Sequence, residues 1–330
     1  MLVSFVIALV SSLALCPLVI GLSRRLHVFD HPTDRSSHAI PTPRLGGIAV
    51  SIALLLALAL SDALPAKQAN ALIIVVVLFG LLGLADDLWS LPALHRLALQ
   101  GLFALGPLPW LLANVGNVGL WQITFGFGVW CWILAWVNAF NFMDGINGIA
   151  AIQAILAGGA WWLIGDARGV PSLAIGGAIL SGAALGFLPH NFPHARTFLG
   201  DVGSYALGAW IAVLVVIALR ADISPVAALA PVSLALADTS MTIARRSRRG
   251  QPLLQPHREH AYQRLVAMGW SHATTAMVIG AILFCCAVIG VATAGASVGV
   301  QIAAGFGVLA IDGVYLGLPA AFEWPREGRG

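Results

Sequence analysis

Between two long apolar runs lies Asn138-Ala-Phe-Asn-Phe-Met-Asp-Gly-Ile-Asn-Gly148, which carries three amide side chains, one carboxylate and two glycines. Asn141 and Asp144 stand three apart, so they share a face wherever the helical turn continues. Gly145 and Gly148 let the backbone bend and a bulky ligand approach closely. A carboxamide oxygen beside a carboxylate makes a hard-donor pair of the kind Mg²⁺ accepts. The same residues would also serve as a plain polar turn between two helices.

Other polar stretches carry complementary groups. Asp86 and Asp87 close an apolar run, with Arg96 on the far side of the same connection. Adjacent carboxylates repel, and burying one without compensation is expensive. A cation, or a phosphate with its metal, would justify the pair; so would a solvated stop at the end of a helix. Phe198-Leu199-Gly200-Asp201-Val202-Gly203-Ser204 sets an acid between two glycines just before another apolar run. A carboxylate there can present both oxygens to a metal, or cap the helix that follows. His257, Arg258 and His260 lie close together in the longest polar loop, where an Arg fork suits phosphate oxygens. Zinc is not expected, because no third ligand stands at suitable spacing. Arg245, Arg246, Arg248 and Arg249 suit anionic lipid headgroups. The inventory fits Mg²⁺-dependent phosphoryl chemistry on a substrate that partly lives in lipid. No Walker A loop or Ser/His/Asp triad is present.

The elements that must hold these groups are apolar helices. Of 330 residues, 59% are hydrophobic and 9% charged, and the mean hydropathy is +0.90, which excludes a soluble domain. Runs near the length that crosses a bilayer as helix recur along the chain, without the alternation of an outer-membrane barrel. The expected fold is an all-α polytopic membrane protein, a bundle of 10–11 transmembrane helices in a single domain, 1–330, with the active site at the cytoplasmic face. Candidate spans are 2–22, 45–64, 71–85, 97–114, 120–140, 146–165, 172–190, 203–219, 223–243, 274–294 and 297–318. The first run has no basic stretch ahead of it and no small-residue cleavage site, so it reads as a retained span. Of the 17 basic residues, all but Lys67, Arg168 and Arg220 follow odd-numbered spans. Those connections are therefore cytoplasmic, the N-terminus is outside and the tail inside. Every polar stretch above falls on that face. The four cysteines lie inside apolar runs and read as small hydrophobes. Asp238 and Asp312 fall within spans; Asp238 suits an ion pair or the rim of the site, and Asp312 suggests a misplaced span edge.

Five blocks, DHPTDRSSHAIPTPRLGG, LADDLWS, NAFNFMDGING, TFLGDVGSYALG and PHREHAYQRL, occur in this order. In them the sequence resembles the polyprenyl-phosphate N-acetylhexosamine-1-phosphate transferases, the superfamily of the phospho-MurNAc-pentapeptide translocase. Its first and last blocks look most like the WbpL-type branch, which starts O-antigen chains in Gram-negative bacteria. The resemblance implies an inner-membrane enzyme that joins a UDP-N-acetyl sugar to undecaprenyl phosphate, releasing UMP, with Mg²⁺ as cofactor and Mn²⁺ as a substitute. The sugar is not readable, and GlcNAc, QuiNAc and FucNAc donors all remain open.

Carried over by motif, Asp201 and Asn141 would bind the metal. Asp86, Asp87, Asp144 and Arg96 would be catalytic, with Asp86 and Asp87 where the lipid phosphate arrives and Asp144 on the nucleotide side. Arg44, Asn138, Asn147, His257, Arg258 and His260 would bind substrate. Asn147 stands where some relatives have Asp, which weakens any catalytic role there. Membrane lipid is an expected partner, nucleic acid is not, and a homodimer is compatible with the reading. A direct attack by lipid phosphate and a two-step route through an aspartyl-phosphate on Asp86 or Asp144 both stay open. The alternatives are the peptidoglycan step of the translocase and, from another class, a secondary transporter. A transporter would place its polar residues near the bilayer midplane, commonly in repeated halves, and no repeat is visible here.

Overall fold

The computed structural model describes residues 1–30, 40–61, 64–113, 119–253, 255 and 257–322. Residues 31–39 of the first block, Pro256 of the last block, and the tail arginines Arg326 and Arg329 lie outside the described residues. Apolar segments can satisfy their backbone groups in lipid only as helices or closed barrels, and this chain forms helices. They are α1 (Leu2–Arg25), α2 (Gly46–Ala59), α3 (Ala66–Trp89), α4 (Ala93–Phe103), α5 (Leu108–Leu111), α6 (Leu120–Met143), α7 (Ile149–Ala167) and α8 (Pro171–Asn191). They continue with α9 (Gly200–Arg220), α10 (Pro225–Leu229), α11 (Ser233–Arg248), α12 (Ala261–Ala267), α13 (His272–Thr293) and α14 (Val298–Phe322). A two-residue antiparallel ladder, β1 (Phe29–Asp30) with β2 (Thr42–Pro43), ties the two ends of the first polar loop and delivers Arg44 to the bundle.

Among the described residues, nine helices are long and apolar enough to cross a membrane, counting Pro225–Arg248 as one. Two of the eleven expected spans take another form. The second, expected over 45–64, shrinks to the apolar helix α2. The fourth, expected as one helix over 97–114, breaks after Phe103 and resumes at Leu108. Pro107 and Pro109 explain the break, because proline removes a backbone donor and clashes with the preceding turn. The broken segment still traverses the bundle. Arg220, at the end of α9 remote from Asp201, donates to the carbonyls of Leu111 and Ala113. At the chain's close, Trp270 packs edge-on against Phe322 at 5.1 Å, so α14 returns to the end that carries Asp201.

Helix α9 is the central strut, buried without interruption from Val202 to Ala218. Small residues let its neighbours come close, as is usual in membrane bundles. A Cβ on Gly47 would strike the Gly203 backbone, and one on Gly83 would strike that of Asp201. The starts of α2 and α9 and the end of α3 therefore meet at one point.

One expectation changes. Asp312 is not at a span edge: it lies within α14, 3% exposed, and accepts from Ser233 at 3.1 Å. Trp161 is fully buried and donates to the Ala228 carbonyl at 3.1 Å. The cysteines are unpaired; Cys16 and Cys286 are buried and Cys285 is exposed.

Candidate functional site

The site grows from the N-terminus of α9. Gly200, at φ +71°, turns the chain into this helix, and a Cβ there would collide with the Arg44 carbonyl and with Asp87 Oδ2. Only glycine fits both the conformation and the space. Asp87 occupies the helix mouth, where its Oδ1 accepts from the Asp201 N–H at 3.0 Å and its Oδ2 from the Val202 N–H at 2.9 Å. Arg44 Nε reaches Asp87 Oδ1 at 2.7 Å while its Nη2 reaches Asp201 Oδ2 at 2.8 Å. Burial works against the Arg44 charge, but Asp201 and Asp87 outweigh it and hold its pKa above the usual value. Asp87 is thus the helix cap that places Asp201, and its side chain has no exposed surface.

Asp86 faces another way. Its Oδ1 accepts from the Leu91 N–H at 2.9 Å, and its Oδ2 accepts from Arg96 Nη1 at 2.9 Å and from the Tyr205 hydroxyl at 3.1 Å. The two adjacent acids therefore do different work. Asp87 holds the α9 end, and Asp86 aims a partly exposed guanidinium.

The motif after α6 completes the centre. Asn141 donates to Asp201 Oδ1 and to Ser204 Oγ, both at 2.8 Å. Asn138, one turn earlier, donates to Gln100 Oε1 at 2.7 Å. Asn147 donates to the Pro193 carbonyl at 3.1 Å. Gly148, at φ +82°, presents its N–H to Asn191 Oδ1 at 2.6 Å. Asp144 is different: among the described residues its carboxylate has no hydrogen-bond partner. Burial, reinforced by the carboxylates of Asp201 and Asp87, pushes its pKa well above the usual range.

Two cavities meet at Asn141, Gly145 and Gln263. One, of about 260 Å³, is lined by Arg44, Asp144, Asn147 and Asp201. The other, of about 360 Å³, is lined by Arg96, Asn138, Tyr205 and His257, with Leu97, Phe142 and Leu253 supplying apolar wall. The first is a carboxylate chamber, and the second pairs a cation with a greasy surface. His257 is half-buried, and burial, then His260 and Arg246, lower its pKa. His260 is only 2% exposed, with Nδ1 3.4 Å from Asp238 Oδ1. Arg258 is exposed on the loop and lines neither of these cavities.

The expected residues therefore converge, except Arg258, but several serve one another rather than the open space. Sequence reading missed Ser204, Tyr205, Gln263 and Asn191. Ser204 and Tyr205 stand three and four residues after Asp201, on its helical face, so spacing alone could have found them. Gln263 and Asn191 carried no such signal.

A divalent cation is testable against these groups. Among the described residues no cluster of three or more His, Cys, Asp or Glu has metal-holding geometry. Mg²⁺ does not need one, since it keeps several waters and binds through one or two carboxylates plus substrate phosphates. Asp201 has one hydrogen bond to each oxygen and so retains lone pairs, while Asp144 stands unpartnered beside it. The Asn141 nitrogen is engaged with Asp201 and Ser204, which turns its amide oxygen elsewhere. This donor set fits a hard cation.

Residues 69–219 match the family described as glycosyl transferase family 4. The chain is 32% identical over 299 residues to the decaprenyl-phosphate N-acetylglucosaminephosphotransferase of Mycolicibacterium smegmatis, covering 78% of this chain and 73% of that one. It is 27% identical to the probable undecaprenyl-phosphate N-acetylglucosaminyl 1-phosphate transferase of Bacillus subtilis, covering 84% and 80%. A phospho-N-acetylmuramoyl-pentapeptide-transferase of Streptococcus pyogenes is 30% identical over 206 residues, covering 55% of this chain and 60% of that one.

Proposed function

The chain belongs to glycosyl transferase family 4, among the polyprenyl-phosphate N-acetylhexosamine-1-phosphate transferases, and on that premise we propose that it moves an N-acetyl-sugar 1-phosphate from a UDP-sugar to undecaprenyl phosphate. The products are undecaprenyl-diphospho-sugar and UMP, and the step opens a cell-envelope glycan such as O-antigen, at the cytoplasmic face of the bacterial inner membrane. The observation that carries this reading is the pair of joined cavities, a carboxylate chamber beside a chamber with one aimed guanidinium and an apolar wall. A nucleotide diphosphate with its cation suits the first, and a phosphate on a lipid suits the second. The excess of arginine on the connections at this end of the bundle supports the cytoplasmic placement.

In this reading an oxygen of the lipid phosphate attacks the phosphorus that bears the sugar. One P–O bond forms, and the bridging P–O bond to UMP breaks. A phosphomonoester has its second pKa at about 6, so the nucleophile is ionised at neutral pH and needs no general base. The barrier is the approach of two anions. Arg96, held by Asp86, presents donors to the incoming phosphate, and Arg44 keeps Asp201 turned toward the donor chamber. Asp201 and Asp144 would hold Mg²⁺, with Asn141 orienting Asp201 through its side-chain N–H, and the ion would neutralise charge on the diphosphate. The test is purified full-length enzyme with undecaprenyl phosphate, Mg²⁺ and a panel of UDP-N-acetyl sugars. UMP release with one or more donors is expected, and release with none would sink the reading.

The hydrogen bonds also bear on the covalent alternative. Both oxygens of Asp86 are engaged, which leaves Asp144 as the carboxylate open to attack a phosphorus. A one-step enzyme should not exchange labelled UMP into UDP-sugar when lipid phosphate is absent. Exchange in the wild type that disappears in Asp144→Asn would replace the one-step route with an aspartyl-phosphate on Asp144.

A further inference from the structure

Asp238 lies on α11 with no exposed surface, and its carboxylate gathers more donors than any other acid described above. The Ala261 N–H, at the first turn of α12, lies 3.1 Å from both oxygens. Thr242 donates to Oδ1 at 3.2 Å, and His260 Nδ1 stands 3.4 Å from it. The Tyr315 hydroxyl of α14 donates to Oδ2 at 2.7 Å, and Tyr315 is itself fully buried. One carboxylate thus joins α11, the start of α12 and α14.

What hangs from that joint faces the candidate site. His260 packs at a tilt against His257, 5.1 Å between ring centroids, and His257 lines the apolar-walled cavity. In the short α12, Tyr262 donates to the Phe142 carbonyl at 2.8 Å, and Gln263 lines both cavities. A helix this short is not stable by itself, because nucleation consumes most of its hydrogen-bond gain. Its placement must come from tertiary anchors, and Asp238 receives its first free N–H.

We infer that Asp238 and Tyr315 are positioning residues for the acceptor side of the reaction: the Tyr315–Asp238 pair fixes α12 and His260, and through them His257 and the wall of the second cavity. The last helix, α14, is then a working part of the acceptor chamber. This rests on the proposed assignment of that cavity to lipid phosphate.

The test uses the full-length enzyme in lipid or detergent, with separate KM values for undecaprenyl phosphate and for the UDP-sugar. Tyr315→Phe keeps the ring and removes only the hydroxyl, so the fold is expected to persist. Losing a hydrogen bond to a buried carboxylate should raise the lipid KM roughly tenfold, with the donor KM unchanged. Asp238→Asn should move the lipid KM in the same direction and further. Arg96→Gln serves as the control on the cavity assignment and should also raise the lipid KM. If Arg96→Gln raises it and Tyr315→Phe does not, the positioning role fails while the acceptor chamber stands. If Arg96→Gln changes only the donor KM, the chamber assignment itself fails. A fall in kcat for Tyr315→Phe with both KM values unchanged would mean less folded enzyme, a purely structural role, and would overturn the inference.

Discussion

Asp201→Asn should lower turnover by roughly a thousandfold, the scale seen when one preorganised electrostatic group is removed from an active site, while the protein keeps its fold. Among the described residues, Asp201 is the one that touches both Arg44 and Asn141 and lines the carboxylate chamber. The amide preserves shape and one acceptor oxygen, so Arg44 or Asn141 can still be satisfied. What disappears is the charge that a cation on the nucleotide diphosphate would use. The helix start is untouched, because Asp87 rather than Asp201 receives its N–H groups. The measurement is UMP release across a Mg²⁺ titration, beside a thermal melt followed by tryptophan fluorescence. Unchanged turnover with an unchanged Mg²⁺ requirement would remove Asp201 from the metal-binding role.

The second large effect is on stability. Asp87→Ala should lower the unfolding free energy by roughly 2–6 kcal/mol, since two backbone donors at the start of α9 lose a buried acceptor at about 1–3 kcal/mol each. The Arg44 charge adds less, because Arg44 keeps Asp201 as a partner and is 29% exposed. Asp144→Asn is the contrasting variant. With no hydrogen-bond partner to lose, it should leave the melting temperature in place and depress activity on the nucleotide side. A normal melt for Asp87→Ala combined with lost turnover would reverse this assignment and return Asp87 to the chemistry.

Much of this was readable in the residues themselves. Apolar run lengths determine that the chain spans a membrane, because lipid leaves helix as the available hydrogen-bonding solution for such runs. Arginine bias places the five polar blocks at one end of the bundle, and their types imply phosphoryl chemistry. Ser204 and Tyr205 were within reach too, through helical spacing from Asp201. Local signals carry such information, since they depend on neighbours in sequence.

The division of labour among the acids needed the tertiary structure. Asp86 and Asp87 are adjacent and alike in sequence, yet one holds Arg96 and the other caps α9. A helical step of one residue turns their side chains about a hundred degrees apart, and what each meets is set by which distant helix lies there. Asp238 and Asp312 share the same ambiguity: each sits in a membrane-length helix, and only the tertiary packing shows that one accepts from both the Ala261 N–H of α12 and the Tyr315 hydroxyl of α14 while the other meets Ser233. Helix breaks lie between the two cases, for Pro107 marks where the fourth span can fail, but the contact of Arg220 with Leu111 shows that the broken piece still reaches the far end. Sequence determined which groups are present and on which face of the membrane bundle; the choice of partner for each buried carboxylate was made by contacts between residues remote in the chain.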